Sequence, residues 1–578
     1  MAKPLSIASF GIVLAISACG SHAATRGNGG AGPGAGGPNN GSAGKSAGGA
    51  DSSAGSGPGR AGIAGDAGGA GGANGGALGA SGSNAGGKTG ASGAAGSNGG
   101  GGGGGGGGTP LTLPPLVTSA PGAYWKTDGA LSDSTAAADV VVHDTLSAQK
   151  WEGFGAAFNE QGWSALTSPE MQQRAISLLF SASDGAAFAW GRIPIGANDY
   201  ATSRYTLDDT GPDVTPASDE SNRPAADLTL SQFSLARDGE KLIPYIKAAQ
   251  AVKPDLRFWA NPWTPPAWMK TGFRKSDGWT EVMVPSYYDG GSMRSDAAIL
   301  TAYAQYFTKF VQGYKDRGID IELVAPQQEP NFEQSYPSCV WDKTTLATFV
   351  GRYLGPAMTI LGVKVMLGTL AHDLDFERAT AVLADSSAKS VSTVIGAQWG
   401  ALWYPNISAL SSSLPIWATE HKGGNYPWNP SGFPPYMNYA PNDHAYGIES
   451  WGEIRDAITK TKVTSYNAWN LVLDKAGWSI DTSRQWAQNA LLVADSGTVS
   501  ATPAYYVFRH LSQYVAPGAT VLNTTGGDAL AFKNPDGSLV AVIFNRGPAK
   551  NDYVVALGSK KLKFAMPSNG WATVNIKP

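Results

Sequence analysis

Between residues 151 and 469 the chain repeats one local pattern eight times. Short β-forming runs stand at 151–158, 187–193, 256–260, 321–325, 363–367, 391–398, 415–419 and 463–469. Amphipathic helical stretches lie between them, at 170–180, 235–250, 297–314, 346–361 and 448–461. Runs too short for helices, separated by segments of helical period, read as parallel strands wrapped by helices. The alternation predicts an α/β fold, a (β/α)8 TIM barrel over 151–496, with its chemistry where the strands end.

Both flanks of that region change pattern. After residue 505 apolar and polar residues alternate, and ALAFKNPDGSLVAVIFNRG reads as a hairpin turning at Asn534, Pro535, Asp536 and Gly537. Ahead of the barrel, ADVVVHD is strand-like. Segments 111–150 and 497–578 are therefore expected to build one β-sandwich side domain. Residues 20–110 can join neither domain. From 26 to about 108 they are almost entirely Gly, Ala, Ser and Asn, ending in an unbroken glycine run. Such a stretch cannot bury enough apolar surface to offset its ordering entropy, and it reads as a disordered tether.

Residues 1–19 carry Lys3, an apolar run over 5–16, then Ser17, Ala18 and Cys19, the pattern of a secretory signal. The apolar run is short for a membrane span. Small residues before a cysteine resemble the bacterial lipoprotein processing site, which would make Cys19 the lipidated first residue, anchored to a membrane with the barrel facing outward. Ordinary cleavage near Ser21, His22 and Ala23, giving a secreted protein, is the alternative. Only Cys339 then remains, so no intrachain disulfide or zinc spacing can be drawn. A formal charge of −3 leaves no nucleic-acid footprint. A monomer is expected.

The strand ends carry the chemistry. They read FNEQGW, GRIPIGANDY, ANPWTPPAWMK, QQEP, AQWGALWYP, WATEHK and NAWNLVL after strands one, two, three, four, six, seven and eight. Two glutamates stand out at one barrel mouth, Glu329 in QQEP and Glu420 in WATEHK. Glycoside cleavage needs two carboxyl groups flanking the bond, about 5 to 5.5 Å apart when the configuration is retained. The neighbouring tryptophans suit the flat apolar faces of sugar rings, although core burial is the competing reading for each of them. His143, His372, His421, His444 and His510 show no ligand spacing and read as hydrogen-bonding residues.

These motifs, in this order, resemble glycoside hydrolase family 30 over roughly 112–578. The resemblance implies that Glu329 is the acid/base, Glu420 the nucleophile, and Arg192 the residue that steadies the nucleophile. It implies that Asp199, Trp263 and Trp469 hold the non-reducing-side sugar. Gln328 stands where the family has an asparagine that bonds the sugar 2-hydroxyl, and Gln398 and Gly400 where its glucosylceramidases have His and Tyr. Trp399 is a further candidate for sugar contact, as are Trp403 and Trp428. No cofactor or metal is implied, and the partner is a poly- or oligosaccharide. FNEQGW and QSYPSCVW look most like the β-1,6-glucanase branch, which predicts a retaining endo-β-1,6-glucanase. A β-glucosidase or glucosylceramidase, a xylanase, and a tethered carbohydrate-binding protein without catalysis are the alternatives.

Overall fold

The computed structural model describes residues 112–577 except 145–148, 214–220, 277–280, 284–285, 412–413, 425–442 and 482–487. Cys19, the signal segment, the glycine-rich tether and Trp428 lie outside the described residues.

Eight parallel strands close into a barrel in chain order: Gly153–Ala157, Trp190–Pro194, Arg257–Asn261, Ile321–Val324, Lys364–Leu370, Ser392–Gln398, Ile416–Glu420 and Ser465–Asn470. They are strands one to eight below. Each falls on an expected run, and strand eight closes the ring on strand one through Ser465 opposite Gly153. Alternate strand residues share a face. On the lumen side Trp190, Trp259, Leu323, Met366, Val394 and Trp417 pack into one buried apolar layer. Two positions further along the same face come Arg192 and Asn261, so a polar layer rests on an indole floor. That step from apolar to polar puts the buried charge at the mouth.

The helices depart from expectation in three places. The stretch predicted over 235–250 becomes helical only at Leu242–Val252. Asp238 instead turns inward, where its carboxylate accepts from the hydroxyls of Tyr205 (3.0 Å) and Tyr314 (2.8 Å), while Arg237 leaves to pair with Glu160. The segment predicted at 346–361 is broken by a π turn at Val350–Leu354, and the one predicted at 448–461 ends in another at Ala457–Thr461.

The side domain unites segments from both flanks of the barrel. Leu116–Ala120 pairs with the last strand, Gly570–Ile576, and Val140–His143 pairs with both Thr520–Gly526 and Lys550–Leu557. The predicted hairpin is present: Asp528–Lys533 and Leu539–Asn545 run antiparallel with Lys533 opposite Leu539. The helix Pro503–Ser512 joins barrel and sheet. Its Tyr505 hydroxyl donates to Leu178 O (2.7 Å), and His510 bonds Thr573 and Ser119 at 2.8 Å. The barrel therefore stands on a fixed base.

Candidate active site

Strand four ends at Val324, and the chain then delivers Gln327, Gln328 and Glu329 in sequence, each with a different task. Gln327 is fully buried and fixes the segment: its Nε2 donates to Trp263 O (2.6 Å), and its Oε1 accepts from Trp341 Nε1 (3.2 Å). Gln328 is locked by three donors on one oxygen, Arg192 Nη2 (2.5 Å), Thr369 Oγ1 (2.6 Å) and Asn261 Nδ2 (3.2 Å). With its oxygen so occupied, the amide nitrogen must point the other way. It donates to Glu420 Oε2 at 3.2 Å.

Glu420, at the tip of strand seven, is surrounded by donors. Arg192 Nη1 and Gln328 Nε2 reach Oε2, and Trp399 Nε1 donates to Oε1 at 2.7 Å. A carboxylate is an acceptor-only group, and this shell offers it only hydrogens. Arg192 is fully buried, with Nε donating to Asn261 Oδ1 (2.9 Å). Its guanidinium lies 4.4 Å from the Trp263 ring centre, 4.9 Å from that of Trp259 and 5.3 Å from that of Trp469. The aromatic faces offset part of the desolvation cost of the cation.

Glu329 meets the opposite environment. Burial, then the Glu420 charge, then Asp375 push its carboxyl up to about 8, and the 3.0 Å bond from Gln398 Nε2 only partly opposes this. Tyr336 Oη lies 3.5 Å away on the other oxygen. At neutral pH one glutamate is thus held as a proton donor beside a second one ringed by donors. Backbone geometry supports the same focus. Glu329 (φ 46°), Trp399 (φ 44°) and Lys422 (φ 57°) adopt the left-handed region directly after strands four, six and seven. Non-glycine residues there cost on the order of 1–3 kcal/mol each and cluster where side chains must be aimed.

The other candidates sit as follows. Trp263 and Trp469 are 2% and 1% exposed, stacked on each other at 5.6 Å, so they wall the guanidinium. Asp199 is buried at the strand-two side, close enough to act on both Arg192 and Glu329. Trp399 reaches the site through its N–H, bonded to Glu420. Asn261, Thr369 and Tyr336 join the network without having been singled out from sequence, and so does Gln398, noted there only as standing where the glucosylceramidases have His. Asn261 had a local signal, lying inside ANPW at the end of strand three. Thr369 had none, because a threonine inside a strand is ordinary. Of the five histidines expected to be hydrogen-bonding, the side chains of His143, His421, His444 and His510 make hydrogen bonds, whereas the buried ring Nε2 of His372 makes none. Among the described residues no group of three or more His, Cys, Asp or Glu is placed to hold a metal.

The raised carboxyl of Glu329 has a stability consequence. Its folded value, about 8, exceeds its ordinary 4.5, so between these pH values the folded protein keeps a proton that the unfolded chain releases. Stability should therefore fall as pH rises through that window, by at most about 1.4 kcal/mol per pH unit. Glu329→Gln removes the term. Thermal melts should show the variant more stable than wild type at pH 8, with the gap closing toward pH 4.5; a gap independent of pH would contradict the shift.

The model of the glycosyl hydrolase family 30 TIM-barrel domain matches residues 151–515, and that of the family 30 beta sandwich domain matches 518–574. The chain is 25% identical over 434 residues to endo-1,6-beta-D-glucanase neg1 of Aspergillus fumigatus, covering 70% of this chain and 81% of that protein. It is 26% identical over 443 residues to lysosomal acid glucosylceramidase of Mus musculus, covering 69% and 75%. In fold it is similar to the endo-beta1,6-glucanase BT3312, with TM-score 0.64 and 23% identity over 80% of this chain and 98% of that one.

Proposed function

The chain belongs to glycosyl hydrolase family 30, and from that premise we propose that it is a retaining β-glycosidase cutting β-1,6-glucan internally by double displacement. The observation that carries the mechanism is the contrast between the two carboxyls. Glu420 is ringed by Arg192, Gln328 and Trp399 donors, while burial and the Glu420 charge keep Glu329 protonated up to about 8.

In the first step a Glu420 oxygen attacks the anomeric carbon as the glycosidic bond breaks, and the Glu329 proton passes to the leaving oxygen. The products are a glycosyl ester on Glu420 and a departing sugar alcohol. Ester formation removes the Glu420 charge, so the push that raised Glu329 weakens just when Glu329 has become a carboxylate. In the second step it takes a proton from water, whose oxygen attacks the anomeric carbon, releases Glu420 and completes retention. Gln328, clamped by Arg192, Asn261 and Thr369, keeps its amide beside the reacting oxygen throughout. Asp199, on the strand-two side, is assigned to the hydroxyls of the sugar being cleaved, with Trp263 and Trp469 supporting that wall.

The likeness to an endo-1,6-glucanase supports β-1,6-glucan as the substrate, and the likeness to a glucosylceramidase supports glucosylceramide as the second reading. Export with a lipid anchor at Cys19 belongs to the same proposal, because a tethered enzyme meets polymeric glucan outside the cell. A panel of pustulan, laminarin, glucuronoxylan, β-1,6-galactan and glucosylceramide, with products sized by chromatography, separates the possibilities. Pustulan should be cut fastest, giving a ladder of short oligosaccharides. Preferential release of xylo-oligosaccharides would overturn the substrate assignment, and activity on glucosylceramide alone would install the second reading.

A further inference from the structure

Among the described residues Trp478 is the one exposed tryptophan, at 37%. It lies on the excursion after strand eight, between Val472–Asp474 and Leu492–Asp495, two strands that pair in parallel and close the excursion at its base. The backbone on either side of it is pinned. Gly477 N donates to Asp474 Oδ1 (2.8 Å), Gly477 O accepts from Gln488 N (2.8 Å) and the Tyr200 hydroxyl (2.9 Å), and Ile480 N donates to Asp199 O (2.7 Å). Gly477 has φ +64°, and a Cβ there would come within 2.2 Å of Gln488 O. Only glycine fits both demands. The turn is thus built to hold its next residue in one place, and that residue presents an indole to water.

The same bonds place it. Asp199 and Tyr200 follow strand two, and the Tyr200 ring meets Trp469 edge-on at 6.1 Å, beside the buried Arg192. Trp478 therefore belongs to the wall made by the loops after strands eight and two, which flank strand one in the ring. Strand four, which leads into Glu329, stands opposite strand eight, from which the Trp478 excursion departs. A leaving group must extend toward its proton donor, so the wall carrying Trp478 borders the opposite, non-reducing side of the bond.

An exposed indole on a pinned backbone, bordering a sugar site, offers a flat apolar face with only two side-chain torsions to order on binding. We propose that Trp478 is the stacking platform for a second glucosyl unit on the non-reducing side of the cleaved bond, a specificity-determining subsite that favours internal positions of the polymer. This rests on the glucan reading given above. The test compares 4-nitrophenyl β-glucoside with 4-nitrophenyl β-gentiobioside, which share a leaving group and differ by that unit. Wild type should show kcat/KM about tenfold higher on the gentiobioside. Trp478→Ala should abolish that advantage with the monoglucoside unchanged within about twofold, and Trp478→Tyr should keep part of it. Equal losses on both substrates, an unchanged ratio, or a wild type indifferent to the second unit would overturn the subsite. Inactivity of wild type on both aryl glycosides and on pustulan would instead overturn the glucan reading, and the glucosyl subsite with it.

Discussion

Glu420→Gln is expected to lower turnover by about 10⁴-fold or more, because under the proposed mechanism it removes the atom that forms the covalent intermediate. The substitution nearly conserves shape, but its hydrogen bonding is informative. Glu420 Oε2 accepts from Arg192 and Gln328, and Oε1 accepts from Trp399. A glutamine can keep an oxygen on only one of these sides. With the oxygen toward Arg192, its NH₂ faces the Trp399 N–H; flipped, it faces the guanidinium. The first arrangement costs less, so the fold should survive with a modest drop in melting temperature. A 2-deoxy-2-fluoro glucosyl fluoride should label wild type on the peptide carrying Glu420, as shown by mass spectrometry. Labelling of another carboxylate, with Glu420→Gln still active, would sink the assignment.

Removal of the proposed proton donor should be nearly as costly, but only where a proton is needed. Glu329→Ala should slow hydrolysis of natural glycan by about 10²–10⁴-fold, the range for general acid catalysis. On an activated aryl glycoside the first step should be much less affected, and azide, fitting the space left by the side chain, should restore turnover as a β-glycosyl azide. Wild type acting on natural substrate should lose kcat/KM as pH rises through about 8, since the required form of Glu329 is the protonated one. Glu329→Ala should lack that basic limb on the aryl substrate. Equal losses on both substrates without azide rescue would argue against the acid/base role.

Much of the architecture was readable because its signals are local. Each barrel strand is a short β-forming run, and NPDG marks the hairpin between Asp528–Lys533 and Leu539–Asn545 through the turn chemistry of four neighbouring residues. The helix boundaries were less legible. The start at Leu242 depends on Asp238 finding the hydroxyls of Tyr205 and Tyr314, 33 and 76 positions away. Periodicity over 235–250 carries no trace of partners so remote.

At the candidate site the division follows the same physical line. Glu329 and Glu420 were marked by sequence alone, because a glutamate directly after a strand run is a local fact. The sequence also determined that Arg192 lies two positions beyond Trp190 on one strand, and so on the same face. What only the tertiary structure decided is that Glu329 keeps its proton while Glu420 is ringed by donors. Arg192 meets Glu420 across 228 positions and Gln328 across 136, while Gln398 reaches Glu329 across 69. The rise of Glu329 to about 8 comes chiefly from burial. Burial and charge proximity arise from the closed barrel bringing eight strand ends to one mouth, and no single stretch of chain contains them.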